Sequence, residues 1–261
     1  MRSILSLLFP PKCPVCGELL EWYGRASHDA LCSACRKGWE DEKLETCGLC
    51  AKSVTECLCV TEEMRKAKCR GFCKTVYYRH GKSKPVQNRL IYYVKHRREQ
   101  DVFRFLGRQL LPGVKKLMTE EEILPENAVI TYVPRSQGAL LQYGVDQARE
   151  LAREISLHTE IPLVSAIRRR SGVGRAQKKL DLPNRLKNAG KSYVANPRAM
   201  LAGKDVLLVD DIVTSGATMA VCVRLLRQMG AERVYCLAVA ADDMQRDGDG
   251  MADLGEKRSA K

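Results

Sequence analysis

The chain has no long apolar run near its start. Ile4 to Phe9 is the only such run there, and Pro10-Pro11 ends it. That is too short for a membrane span or a signal-peptide core, so the expected compartment is the cytoplasm. Cysteine is scarce over most of the length: of twelve, only Cys222 and Cys236 lie beyond Cys73. A P-loop is absent too, because Gly81-Lys82-Ser83 and Gly190-Lys191-Ser192 each lack the upstream glycine that motif needs. There is no internal repeat apart from duplicated cysteine pairs. Acidic residues are outnumbered, 31 against 44 Lys and Arg, leaving a net charge of +13. The pI of about 9.3 invites anionic partners such as phosphates or nucleic acid, although many basic proteins only carry a solvated surface.

What is present is a soluble globular composition, with 45% hydrophobic and 29% charged residues over 261 positions. That length suits one large domain or two small ones. Ten of the cysteines fall between Cys13 and Cys73. In a reducing compartment, such close pairs point to metal. Cys13-x2-Cys16 and Cys32-x2-Cys35 are separated by fifteen residues, the spacing of a zinc ribbon that presents four thiolates tetrahedrally. Cys47-x2-Cys50 with Cys57-x-Cys59 reads as a second, looser Zn2+ site. Its single-residue gap leaves Cys69 or Cys73 as alternative ligands and pairing across the two sites open. His28 reads as a surface residue. Zinc held by four protein ligands is structural and does no chemistry. Trp22, Tyr23 and Trp39 are either exposed contacts or packed on the ribbon.

After the cysteine-rich segment come two helices. One follows Ser83 as N-cap and runs to about Arg98; the other spans about Asp101 to Leu117, interrupted or kinked at Pro112-Gly113. From Ala128 short apolar runs alternate with amphipathic helices, as in a parallel α/β sheet. The strand candidates are Val129 to Val133, Leu163 to Ile167, Val206 to Val209 and Val234 to Ala240. Cys222 and Cys236 fall on the apolar pattern as packing residues. The domains expected are 1–75 for a double zinc ribbon, 76–241 for the α/β unit, and a polar, disordered tail over 242–261.

The most informative string is Val206-Leu207-Leu208-Val209-Asp210-Asp211-Ile212-Val213-Thr214-Ser215-Gly216-Ala217-Thr218. An apolar strand runs into two carboxylates, then a loop of small hydroxyl residues, then a helix. In an open α/β sheet, ligands bind at the carboxyl ends of strands. Helix-start amides with the hydroxyls of Thr214, Ser215 and Thr218 form a phosphate cradle, and Gly216 lets the backbone come close. Two carboxylates beside a phosphate make sense if they accept hydrogen bonds from sugar hydroxyls, with a cation nearby. A phosphorylated ribose suits both halves. The bland alternative is a strand, a turn and a capped helix. A second strand-end loop, Pro134-Arg135-Ser136-Gln137-Gly138, could hold a pyrophosphate or be a surface turn. Residues 168–191 carry nine basic side chains against one acidic, Asp181. They read as a flap over a polyanion, a nucleic-acid stripe or a solvated loop.

The loop from Asp210 to Thr218 resembles the ribose-phosphate loop of type I phosphoribosyltransferases. The whole order resembles the competence-protein F (ComF) family: the double ribbon, Leu90 to Arg98, Val133-Pro134-Arg135, Gln177, Arg185, Asn188 and then that loop. The resemblance covers about Leu7 to Ala240, and Val145-Asp146-Gln147 departs from the family's Phe-Asn-Gln. It implies a type I phosphoribosyltransferase fold in which Asp210 and Asp211 contact the ribose 2′- and 3′-hydroxyls. Thr214, Ser215, Gly216, Ala217 and Thr218 would hold the 5′-phosphate of phosphoribosyl pyrophosphate with Mg2+, and Arg135 would neutralise the departing pyrophosphate. It also implies handling of single-stranded DNA in natural competence, with proteins of that machinery as partners. No general base stands out. A non-catalytic sensor of the same ligand and a zinc-ribbon nucleic-acid adaptor are the rival expectations.

Overall fold

In the computed structural model the structure describes residues 10–20, 30–80, 84–170 and 192–243. At the centre stands a four-stranded, wholly parallel sheet in the order β1-β6-β5-β2. Its strands are β1 (Gly71–Tyr78), β2 (Ala128–Tyr132), β5 (Asp205–Val213) and β6 (Arg233–Asp242). Alternate residues of a strand face opposite sides of the sheet. Leu207, Val209, Tyr235 and Leu237 accordingly enter one core, and Val206, Leu208, Val234 and Cys236 the other. All eight are fully buried, as parallel sheets covered on both faces require.

The helices supply those covers. On the first face lie α3 (Val86–His96), α4 (Gln100–Glu120) and α6 (Gln147–Thr159), with α1 (Ser33–Lys43) of the first cysteine module packed among them. On the second lie the short α2 (Glu62–Lys66) and α7 (Ala217–Gln228). The helix α5 (Gln137–Tyr143) follows β2 with Ser136 as N-cap. A two-stranded antiparallel ribbon, β3 (Ile167–Arg169) with β4 (Tyr193–Ala195), completes the second side. Each main helix buries residues at three- and four-residue spacing, such as Leu90, Ile91 and Val94 in α3. No helix among the described residues is long and apolar enough to cross a membrane.

Several expectations need correction. The α4 helix runs unbroken through Pro112. The strand expected at Leu163 to Ile167 is an isolated bridge, Leu163 to Ile130, followed by the separate ribbon beginning at Ile167. β5 does not stop at Val209, because Asp210, Ile212 and Val213 continue to pair with Ala238, Ala240 and Ala241. An edge strand escaped notice: β1 spans residue 75, so the boundary expected there falls inside the sheet. Helix α3 is capped at Pro85, while Ser83 lies outside the described residues, as does the tail from 244.

The cysteine module is not a separate body. Trp39 of α1 is fully buried, meets Phe105 of α4 edge-on at 5.6 Å, and donates from Nε1 to Gln109 Oε1 at 3.1 Å. Cys13, Val15, Leu31 and Cys35 join the same apolar cluster as the sheet's first face.

Candidate functional site

The cysteines assemble as two tetrads. In each, Cys13, Cys16, Cys32, Cys35 and then Cys47, Cys50, Cys57, Cys59, the four sulfurs all lie within 4.8 Å of one another. Zinc–sulfur bonds of about 2.3 Å put tetrahedral sulfurs roughly 3.8 Å apart, so both sets fit zinc. Two knuckles share one construction. The amide of the fourth residue after the first cysteine returns to its carbonyl, Gly17 to Cys13 at 2.8 Å and Ala51 to Cys47 at 2.7 Å. Both residues have positive φ, +79° and +56°. Burial opposes ionisation of Cys47, but the Leu49 amide, the Cys57 side chain and the Cys50 amide outweigh it and lower its thiol to about 6. Cys13 comes down to about 7 against the same opposition, through the amides of Cys32, Cys16 and Val15. In each tetrad one thiol is thus lowered, while burial raises two others, Cys32 and Cys35 in the first and Cys57 and Cys59 in the second.

The irregular second set contains its Cys57-x-Cys59 pair, and neither Cys69 nor Cys73 replaces a member. Cys69 Sγ faces Cys236 Sγ at 3.5 Å, and Cys73 packs against Gly113 of α4. Lys74, only 2% exposed, aims Nζ at Cys57 Sγ from 3.1 Å and at the Cys57 and Cys59 carbonyls from 3.3 and 3.5 Å. A buried ammonium there offsets the negative charge that four thiolates leave on a divalent ion. Trp22, Tyr23 and His28 lie outside the described residues.

At the carboxyl end of β5 the two carboxylates stand side by side, on the strand rather than on a loop. Asp210 Oδ1 accepts the Asp211 amide and Asp211 Oδ1 accepts the Ile212 amide, each at 2.8 Å. Burial first, and then the like charge of Asp211, hold the Asp210 carboxyl well above the usual carboxylate range. Among the described residues, Lys95 Nζ of α3 is the one cation paired with them, 3.9 Å from Asp211 Oδ2. Sequence alone did not single out Lys95. It belongs to the same expected α/β unit as Asp211 but lies over a hundred residues before it.

Thr214 and Ser215 follow the strand, and Gly216 begins α7 with φ +76°. As N-cap it offers no side-chain acceptor, so the first-turn amides of Ala217, Thr218 and Met219 are not capped from within. An uncapped helix start beyond a strand end has free amides that can accept an anion.

The second loop has a different character. Arg135 sends Nη1 to Gln147 Oε1 at 2.6 Å and to the Val145 and Lys95 carbonyls at 3.4 Å, with its guanidinium 4.8 Å from the Tyr143 ring. Its amide donates to Asp146 Oδ2 at 3.0 Å, and Asp146 caps α6 through the Arg149 amide. Arg135 therefore ties α3 to the start of α6. In the basic segment, Arg168 pairs with Asn196 and Arg169 lies over Tyr193, while residues 171–191, including Gln177, Arg185 and Asn188, lie outside the described residues.

A groove of about 720 Å³ runs between the first knuckle and α3. Its walls include Tyr92, Tyr93, His96, Lys84, Arg89 and Arg97. Tyr92 is 68% exposed and stacks at 4.4 Å on His96, which meets Tyr143 edge-on at 5.1 Å. This aromatic row leads toward Arg135. Sequence reading placed this helix but did not single out its outer face.

Comparison with known proteins bears on the α/β unit that carries this strand. Residues 139–255 match the family model described as "Phosphoribosyl transferase domain". The chain is 31% identical over 128 residues to ribose-phosphate pyrophosphokinase of Sulfurisphaera tokodaii, an alignment covering 43% of this chain and 44% of that protein. It is 26% identical over 152 residues to competence protein F of Haemophilus influenzae, covering 58% and 66% respectively. The chain thus spans less than half of the first relative and just under two thirds of the second. Among solved structures, it is similar to an adenine phosphoribosyltransferase (18% identity, TM-score 0.39, 60% of this chain and 79% of that one). It is also similar to purine phosphoribosyltransferase of Pyrococcus horikoshii (16%, TM-score 0.30, 52% and 73%). The chain carries a phosphoribosyl transferase domain, preceded by two cysteine tetrads consistent with a double zinc ribbon, and is a distant relative of competence protein F.

Proposed function

We propose that the end of β5 binds phosphoribosyl pyrophosphate and that the domain transfers its phosphoribosyl group to a nucleophile. The observation that carries this reading is the adjacency of two carboxylates to an uncapped helix start on one central strand. Phosphorylated ribose also links the family description with the name of the pyrophosphokinase relative. Asp210 and Asp211 accept hydrogen bonds from the ribose 2′- and 3′-hydroxyls. The hydroxyls of Thr214, Ser215 and Thr218, with the amides around Gly216 and Ala217, hold the 5′-phosphate. Lys95 and the acidic pair set the charge on the pyrophosphate side. Arg135 keeps the neighbouring loop in place. Bound Mg2+ would neutralise charge on the pyrophosphate. The anomeric carbon–oxygen bond breaks with its electron pair leaving on pyrophosphate. The acceptor's lone pair forms the new bond, and its proton passes to water. The chain's contribution is positioning and charge stabilisation.

The test is calorimetry with phosphoribosyl pyrophosphate and Mg2+, followed by a pyrophosphate-release assay. A charge-assisted hydrogen bond contributes about 1.5–3 kcal/mol, so Asp210→Asn and Asp211→Asn should each weaken binding roughly tenfold or more. Wild-type indifference to millimolar ligand would sink the reading. Binding without pyrophosphate release against any acceptor would leave a sensor of the same ligand.

The groove beside α3 favours a second reading, in which the protein handles single-stranded nucleic acid as the family resemblance implies. Exposed aromatic rings interleaved with Lys84, Arg89 and Arg97 are what a stacked, negatively charged strand requires. Both readings place the protein in the cytoplasm, where thiols stay reduced for metal.

A further inference from the structure

Thr61 sits where the second cysteine tetrad meets the phosphate cradle. A Cβ placed on Gly216 would collide with Thr61 Oγ1 and come within 3.1 Å of Thr61 Cβ and Cγ2. Gly216 is the residue on which the cradle turns, in a left-handed conformation that an L side chain resists. Thr61 is thus the wall against which that turn rests. It is 8% exposed, and its hydroxyl accepts the Met64 amide at 3.3 Å, which fixes its rotamer and caps α2. Met64, fully buried, enters the same core as Met219 and Ala220 of α7.

The chain leading to Thr61 is clamped. Two residues upstream is Cys59, a member of the second tetrad. Lys74 of β1 reaches the Cys57 and Cys59 carbonyls, and the Phe72 amide donates to the Leu58 carbonyl at 3.1 Å. The single-residue gap in Cys57-x-Cys59 therefore coincides with a stretch laid along β1 that delivers Thr61 to Gly216.

We infer that Thr61 is a positioning residue for the ribose-phosphate cradle, anchored by the second metal site. The inference rests on the ribose-phosphate reading above. With the wall removed, the Gly216 turn samples conformations that misdirect the first-turn amides, and phosphate affinity falls although no ligand contact has been deleted.

The test uses the full chain and ribose 5-phosphate as probe, by calorimetry, with zinc content and thermal midpoint as controls. Thr61→Gly should weaken binding roughly tenfold while zinc stays at the wild-type level. Thr61→Ser keeps the cap and most of the wall, and should bind within about twofold of wild type. Gly216→Ala should abolish binding, and adding Thr61→Gly to it should restore part, because the collision is gone although the strain at positive φ remains. Wild-type affinity in Thr61→Gly, or no recovery in the double variant, overturns the inference while the ribose reading stands. Absence of wild-type binding overturns both.

Discussion

At the scale of single residues the decisive pair is Asp210 and Asp211. A carboxyl raised above its ordinary range favours the folded state while protonated and opposes it once ionised. Its contribution is fully present below the unfolded value of about 4 and is lost as pH rises through the folded value. Asp210→Asn can still accept the Asp211 amide while removing the buried like charge. The variant should therefore melt higher at neutral pH, by about 2–4 °C if the relief approaches 1 kcal/mol, while losing ribose-phosphate affinity. Scanning calorimetry across pH 4–8 checks this: the variant should lose part of the wild type's downward slope. An equal slope in both proteins would show that Asp210 titrates normally. A site that is more stable when disabled is what a charged pocket awaiting a cation and a sugar should be.

Among the elements, α3 joins two tasks. Its inner face of Leu90, Ile91 and Val94 covers the sheet, its Lys95 reaches Asp211, and its outer face of Arg89, Tyr92 and His96, with Arg97 just beyond its end, borders the groove. Base–aromatic stacking contributes about 1–3 kcal/mol per base, so Tyr92→Ala with His96→Ala should weaken single-stranded DNA binding by at least about fivefold. The salt dependence should stay as in wild type, since no phosphate contact is removed, whereas Arg89→Ala with Arg97→Ala should shallow it. Fluorescence anisotropy between 50 and 200 mM salt would read both. Equal affinity in all variants would place nucleic acid elsewhere. The strand β5 shows how pairing extends an element: its apolar run ends at Val209, yet β6 carries it on to Val213.

For the whole molecule, the shared core changes what zinc removal should do. Trp39 lies between α1 and Phe105 of α4, in the cluster that also covers the first face of the sheet. The protein should bind close to two zinc ions per chain, and chelation should unfold ribbon and α/β unit together. Far-UV circular dichroism and a ribose 5-phosphate binding signal should then be lost at one chelator concentration. Separate transitions would show that the module is an independent domain. Trp39→Ala should cost about 3–5 kcal/mol, as large core deletions do, although the residue belongs to neither the sheet nor a tetrad.

Local chemistry by itself determined the cysteine pairs, the parallel α/β pattern and the string from Val206 to Thr218. In each, residue type and short spacing carry the meaning: thiolates in turns, alternating apolar runs, small residues after a strand. Tertiary structure alone decided that Lys74 in β1 is a buried partner of the second tetrad. A lysine inside Gly71–Tyr78 disguised an edge strand, and only its acceptors explain its burial. Tertiary structure likewise brought Lys95 to Asp211, engaged Arg135 with loop carbonyls, and set Thr61 against Gly216. Those partners lie from 10 positions apart, Arg135 with Val145, to 155, Thr61 with Gly216. Contacts over such separations leave no periodic trace in a sequence, because the energy that fixes them comes from packing around the whole sheet and not from the residues on either side.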